Sequence, residues 1–460
     1  MKIKFLGGAR TVTGSCFFLE CNDLRFLVDC GLYQGEGDEE VNRAAFGFQP
    51  GELDYIFVTH AHMDHSGMIP RVVKEGFRGR ILATPATRDL LELMLYDSAN
   101  VQKNDTEWLA RKSMRAGKTP REPLYTAEDV KEVIPLFDVK PYEKIFHLGN
   151  GIRYRFLDAG HILGSGTLEI WFRDGEKEKK IIFSGDIGKR GNPIIRDPVT
   201  PVQADYIIME STYGNRLHKP LKDSIDELVE AIKRTFKKGG NVYIPSFAVG
   251  RTQDLLYILN GLVREKRLYK IDVYLDSPLA EEVTRVYLAH PEVFDEEAMN
   301  RFTEEKFGDS LKLHFVQSVQ HSMALNKVRS GIIVIAGSGM CDGGRIRHHL
   351  KHNLWRQECS VIFVGYQGTG TLGRRIVDRE KTVQILGEEI AVRATVYTIN
   401  GFSAHADQAE LIRWLSCFND SPEVFVVHGE EDVAISFGEL VQEKFRFKTH
   451  IPEKGEGYEL

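Results

Sequence analysis

Along the first 210 residues, short apolar and β-branched runs alternate with turns. They are LRFLVDCG from Leu24, YIFVTHAH from Tyr55, GRILATP from Gly79, IRYRFLDAGH from Ile152, TLEIWF from Thr167, KIIFSGDIG from Lys180 and YIIMEST from Tyr206. Runs of this kind bounded by turn formers predict strands. Between them, PATRDLLELMLYDSANVQ from Pro85 and YTAEDVKEVIPLF from Tyr125 predict helices, the second with Thr126 and Asp129 at capping-box spacing. The charged stretch from Lys103 to Glu122 predicts a solvated helical excursion. From about 213 the units lengthen: helix SIDELVEAIKRTFKKG, strand NVYIPSFAV, helix TQDLLYILNGLVREK, strand IDVYLD, helix AEEVTRVYLAH, then strands GIIVIAG and SVIFVGY. Such alternation predicts a parallel sheet covered by helices. From about 378 the strand-rich texture returns with VQILGEEIAVRATVYTI and EVFVVHGE. The expectation is therefore one domain made of 1–210 and 378–460, interrupted by an insert over 211–377, with no internal repeat.

Composition supports a soluble globular chain. Its 460 residues suit two or three domains, and 42% hydrophobic with 27% charged residues exclude a disordered one. No run approaches the roughly 18 apolar residues of a membrane helix, and MKIKFLGGARTVTG turns polar too early for a signal peptide. A cytoplasmic location without a membrane partner is expected. The six cysteines, Cys16, Cys21, Cys30, Cys341, Cys359 and Cys417, form no C-x-x-C pair, which argues against a disulfide framework and a zinc-thiolate site alike. Net charge is −6, yet residues 213–377 carry 24 Lys and Arg against 19 Asp and Glu, while the remainder carries 36 against 47. A mildly basic middle is compatible with a phosphodiester substrate.

The chemistry concentrates in VTHAHMDHSG, where His60, His62, Asp64 and His65 crowd into six residues after an apolar run. Such a cluster is electrostatically poor unless a positive ion sits among neutral imidazoles. Asp29, Asp186, Glu210 and His428 likewise follow apolar runs directly, and His161 follows one by a short turn. Strand ends make a rigid rim for ligands. His60, His62, Asp64, His65, His161, Asp186 and His428 supply nitrogen and carboxylate oxygen of the type that suits Zn2+, in numbers sufficient for two ions sharing a carboxylate.

LVDCG, HAHMDH, GHILGSG and FSGDIG together resemble the metallo-β-lactamase fold, an αββα sandwich with a dinuclear site at the sheet edges. MESTYG at 209–214, GFSAHAD at 401–407 and VVHGEE at 426–431 resemble motifs A, B and C of the β-CASP nucleases. FAVGRTQ, DSPLA, GSGM and GTGTLGR in the insert are similar to that group too, which includes the endonuclease subunit of mRNA 3′-end processing. The resemblance implies an αββα sandwich carrying an inserted α/β domain with a Rossmann-like parallel sheet. It implies two Zn2+ per chain, one on His60, His62 and His161, the other on Asp64, His65 and His428, bridged by Asp186. Asp29 would be the carboxylate behind them that orients ligands. The catalytic set implied is Asp64, Asp186, Glu210 and His405, with Glu210 orienting His405 over the scissile phosphate.

AGSGMCDGG and GYQGTGTLGR each join a strand to a helix, so their backbone amides can hold phosphate or ribose. Ser338, Gly339, Gly368 and Thr369 are the candidates there, with Arg251 and Arg374 as charge-assisted contacts to RNA unless they serve as structural ion pairs. His348, His349 and His352 in RHHLKH lie at helical spacing among basic residues, which predicts a solvated or RNA-facing helix, not a third metal site. The function implied is a zinc-dependent ribonuclease on single-stranded RNA. Internal cutting is expected, for want of a long accessory domain to thread the strand, with 5′ to 3′ trimming as a second activity and homodimerisation left open. A small-molecule hydrolase would lack the insert and FSAHAD, and a di-iron oxidoreductase would have Glu in place of His62. A non-catalytic RNA-binding scaffold would lose ligands, and none is missing. A hydrolase acting on DNA is the remaining alternative, opposed by the histidine of motif C.

Overall fold

The computed structural model describes residues 1–35, 38–115, 121–269, 271–304, 311–365, 367–368 and 370–460. Thr369 lies outside the described residues, as do residues 116–120 of the charged stretch. The chain divides into two compact units, one of residues 1–190, 196–217 and 405–460, the other of 191–195 and 218–404.

Among the described residues the first unit holds two seven-stranded sheets. One runs Gly457–Glu459, Lys2–Gly7, Cys16–Cys21, Leu24–Val28, Tyr55–Phe57, Arg80–Ala83, Phe137–Val139. The other runs Thr449–His450, Glu423–Val427, Tyr206–Glu210, Lys177–Phe183, Gly166–Asp174, Ile152–Asp158, Phe146–Gly149. Their facing sides meet in a core that includes Phe5, Phe17, Phe26 and Phe57 from the first and Phe156, Phe172, Phe183 and Phe425 from the second. Side chains alternate along a strand, so Ile181 and Phe183 point into that core while Ile182 points out. There Ile182, Ile207 and Val426 pack under Leu411 and Trp414 of helix Gln408–Leu415 and Phe437 of helix Glu431–Phe445. Burial on both sides explains why these strands read as continuous apolar runs. On the first sheet, helices Ile69–Lys74 and Pro85–Arg115 fall between successive parallel strands. The result is the αββα sandwich that the sequence motifs imply. Helix Ala127–Val133 starts on the expected capping box, with Thr126 and Asp129 bonded reciprocally.

The second unit is built on a six-stranded parallel sheet, ordered Lys312–Phe315, Asp272–Leu275, Ile332–Ala336, Val242–Pro245, Ser360–Phe363, Thr395–Thr398. Sequence texture puts the second junction near 378, whereas the compact unit extends to Ala404, because Thr395–Thr398 pairs with Ser360–Phe363. The expectation of a solvated histidine helix holds at two positions and fails at one. His348 and His352 of helix Ile346–Asn353 are exposed, but His349 is buried, its Nε2 2.6 Å from Asp276 Oδ2, with Arg345 Nη1 bonding the other carboxylate oxygen at 2.6 Å. A buried carboxylate needs charged or donor partners, and the helix turns His349 inward to supply one. Among the described residues, no helix is long and apolar enough to cross a membrane.

Candidate metal centre

Parallel pairing sets the ends of three second-sheet strands side by side: Ile181 beside Tyr206, and Tyr206 beside Glu423. Asp186, Glu210 and His428, which end or follow those strands, therefore emerge at one edge. His60 follows Tyr55–Phe57 on the first sheet, and the chain then starts the short helix Met63–Ser66 with His62 as its first cap. This turn is held by backbone bonds from Ser15 N to Asp64 O, Cys30 N to His65 O and Leu32 N to Met63 O, each 2.8 Å. Gly31 lies so close beneath it that a Cβ would stand 1.7 Å from Asp64 O. Gly31→Ala must push the ligand turn outward, which is expected to cost about 1–3 kcal/mol of stability, an overpacking penalty. Urea unfolding should show the midpoint falling with an unchanged slope, and an unshifted midpoint would contradict this contact.

Four donor atoms face one another at the first position. His60 Nε2 lies 3.1 Å from His62 Nδ1, and His161 Nε2 lies 3.3 Å from the same atom. Asp186 Oδ2 is 3.4 Å from His60 Nε2 and 3.5 Å from His161 Nε2. A tetrahedral ion with ligands about 2.1 Å away places them about 3.4 Å apart, so these spacings are those of a ligand shell. At the second position, Asp186 Oδ1 is 3.2 Å from His65 Nε2 and 3.5 Å from His428 Nε2, which is 3.9 Å from Asp64 Oδ2. Asp186 thus offers one oxygen to each group. His65 Nε2 and Asp186 Oδ1 are buried, yet neither finds a hydrogen-bond partner among the described residues. Buried polar atoms are ordinarily satisfied, and these two are satisfied if a cation lies between them. The donor set therefore fits two metal ions.

Electrostatics agree with that reading. Burial holds His60 down to about 4 and His62 down to about 3, with neighbouring imidazoles adding to the effect, so both are neutral and able to coordinate. Burial alone would raise Asp186, but the imidazoles of His428, His65 and His60 hold it well below the usual carboxylate range. Burial would lower His65, yet Asp186 and Asp29 on either side raise it well above the ordinary histidine value. His65 would give up that proton in order to hold a metal ion, the usual coupling of metal binding to proton release.

Behind the ligands stand groups that fix their orientation. Asp29 Oδ2 accepts from His65 Nδ1 at 2.7 Å and from Thr59 Oγ1 at 2.8 Å, while Oδ1 accepts from Thr59 N at 2.8 Å. Thr59 Oγ1 is 3.1 Å from His60 Nδ1, and Ser15 Oγ is 2.9 Å from His428 Nδ1. Each contact occupies Nδ1 and so leaves Nε2 turned to the centre. Ser15 and Thr59 escaped sequence reasoning, since a lone hydroxyl residue carries no motif. Asp29 and His428 have φ of 59° and 47°, left-handed backbone that aims both side chains inward at some conformational expense.

Glu210 is buried beside this cluster. Its Oε1 accepts from Ile187 N, and its Oε2 lies 3.2 Å from His405 Nδ1. Burial would lower His405, but Glu210, with Asp186 and Asp64, outweighs it and raises His405 to about 9. With Glu210 at Nδ1, Nε2 is the ring nitrogen left to carry a proton to a ligand. Asp186, Glu210 and His405 also gather within ligand distance of one another, so the geometry offers His405 as an acid or as a ligand. Tyr213, which the sequence analysis did not single out, sets its ring 6.0 Å from that of His405.

Of the candidate RNA contacts, Arg251, Ser338, Gly339, Gly368 and Arg374 belong to the second unit, in the segments that follow its strands. Ser338 Oγ bonds within its own loop, to the backbone of Gly343, and Gly368 O accepts from Thr371 N at 3.2 Å. Arg374 Nε bonds Asp378 at 2.9 Å, and Arg251 Nη1 is 3.4 Å from Asp254 Oδ2. Both arginines thus have the ion-pair partners that a structural role requires.

Comparison with known proteins agrees with this architecture. Residues 9–246 match the metallo-beta-lactamase superfamily, 252–376 the Beta-Casp domain and 389–452 the Zn-dependent metallo-hydrolase RNA specificity domain. A Thermus thermophilus protein named as a ribonuclease is 39% identical over 443 residues, covering 96% of each chain. The transcription termination factor FttA of Methanosarcina mazei is 30% identical over 463 residues, covering 98% of this chain and 70% of that one. In shape alone, a crystal structure from Enterococcus faecalis titled as a protein of unknown function superposes with a TM-score of 0.57 at 14% identity, covering 99% of both.

Proposed function

Since the chain belongs to the β-CASP family of metal-dependent RNA hydrolases on the metallo-β-lactamase fold, we propose that it is a zinc ribonuclease cutting single-stranded RNA internally. The observation that carries this reading is the pair of donor groups joined through Asp186, at the spacing of a tetrahedral shell. Nitrogen and carboxylate donors without thiolates suit Zn2+. His60, His62, His161 and Asp186 Oδ2 would hold one ion, and Asp64, His65, His428 and Asp186 Oδ1 the other. When bound, the two ions supply Lewis acidity toward a phosphodiester and toward water.

The chain's own residues supply the rest. Asp29, Thr59 and Ser15 occupy Nδ1 of His65, His60 and His428 and leave their Nε2 to the centre. Glu210 favours the protonated form of His405 and occupies its Nδ1; as a water oxygen bonds to phosphorus and the bond to the 3′ oxygen breaks, the Nε2 proton of His405 passes to that departing oxygen and the product keeps a 5′ phosphate. These groups act on one phosphodiester and call on no chain terminus, which favours internal cutting, with trimming from a 5′ end as a second use of the same site. The cysteines are all free and suit a reducing compartment, in keeping with action in the cytoplasm.

Circular single-stranded RNA is the deciding substrate. Elemental analysis should return close to two zinc ions per chain, and the circle should be opened by protein but spared when a chelator is present. A circle left intact while linear 5′-phosphate RNA is degraded would make the enzyme an exonuclease. Equal rates on single-stranded DNA would remove the RNA preference, and zinc near one per chain in a zinc-supplied sample would remove the paired site.

A further inference from the structure

The insert's sheet carries helices on both faces. Leu255 and Leu259 of helix Arg251–Arg264 pack on one face, and Ile376 of helix Leu372–Val377 packs on the other. Strand Val242–Pro245 leads into the first of these helices and its neighbour Ser360–Phe363 into the second. Adjacent parallel strands whose connections leave over opposite faces open a crevice beyond their carboxyl ends, the favoured place for a ligand in such a sheet.

Phe247 stands at that place, two residues beyond Pro245, and is 42% exposed. An exposed apolar residue alone signifies little. This one is rigidly held and has glycine beneath it. Its carbonyl accepts from Thr252 Oγ1 at 2.6 Å, Ser246 N donates to Ala336 O at 3.1 Å, and Gln253 Nε2 donates to Ala248 O at 3.1 Å. A Cβ at Gly339 would come within 2.7 Å of the ring, and one at Gly365 within 3.9 Å. Gly339 and Gly365 thus bring no side chain of their own to the places where the ring lies against them. A little under half of this flat apolar residue stays exposed beside these two glycines.

Resting on the ribonuclease reading, we infer that Phe247 is a stacking platform for a nucleobase of bound single-stranded RNA. Stacking needs only a ring face and tolerates any base, while neighbouring amides can meet ribose or phosphate. Arg251 and Arg374, with carboxylates beside them, are not required for it.

The test is equilibrium binding of a short fluorescent single-stranded RNA to the full-length zinc-loaded protein in a His405→Ala background. Phe247→Ala, checked by circular dichroism and melting temperature, should weaken binding by about tenfold or more. Phe247→Trp should restore it, with the indole emission added over that of the parent's four tryptophans quenched by RNA, while an oligonucleotide lacking bases should bind the Phe and Ala forms alike. Undiminished affinity in folded Phe247→Ala, or indole emission indifferent to RNA, would overturn the platform and leave the ribonuclease reading standing. A parent protein that neither binds nor cuts RNA would overturn that reading and this inference with it.

Discussion

Asp186→Asn should empty both metal positions at once. Zinc per chain should drop from about two to well below one, and RNA cleavage should fall by more than about 10³-fold, beyond what loss of a single preorganised electrostatic contact brings. The expectation rests on the two oxygens dividing their service: Oδ2 faces His60 and His161, and Oδ1 faces His65 and His428. Without the carboxylate, two cations would be drawn into a nest of neutral imidazoles with only Asp64 to offset them. A variant of any single histidine keeps the bridge and should retain one ion. Asp29→Ala should do less still, about 10- to 100-fold in zinc affinity, because it loosens His65 without removing a donor. Elemental analysis beside circular dichroism separates these cases. An Asp186→Asn protein that is folded and keeps two zinc ions would show that the carboxylate does not join the pair.

Most of this site could be read from the sequence because its residues sit where apolar runs end. An apolar run ends where its side chains stop filling the sheet core, and the polar residue that follows is carried to a sheet edge by the run before it. That reasoning located Asp29, His60, Asp186, Glu210 and His428, although it could not say which faced which. Ser15 was beyond reach for the opposite reason. Its partner His428 is 413 residues away, and the bond exists only because the first and last parts of the chain share one unit. The strand Thr395–Thr398 was visible as a strand but not as a member of the insert, since apolar alternation says that a residue is buried and not against which sheet. His349 was lost to its neighbours. Arg345, His348 and Lys351 made its helix look solvated, while the carboxylate that draws it inward, Asp276, lies 73 residues earlier.

His405→Ala should keep both zinc ions and lose about 10² to 10⁴ in rate, the usual worth of a positioned general acid. Metal content decides between the two roles that the geometry offers this histidine, because Asp186, Glu210 and His405 also lie within ligand distance of one another. Zinc lost from the variant would make it a ligand. If it is the acid, Glu210 acts through it, and Glu210→Gln gives the sharper result. The carboxylate raises the His405 pKa, so its neutral counterpart lowers it, and the acid form is lost at a lower pH than in the parent. The alkaline fall in cleavage rate should therefore move down the pH scale in Glu210→Gln, with zinc content unchanged. Combining Glu210→Gln with His405→Ala should cost little beyond His405→Ala alone, since residues that work as one unit do not add. Additive losses, or an alkaline limb that stays in place, would mean that Glu210 serves the backbone amide of Ile187 and not the proton on His405.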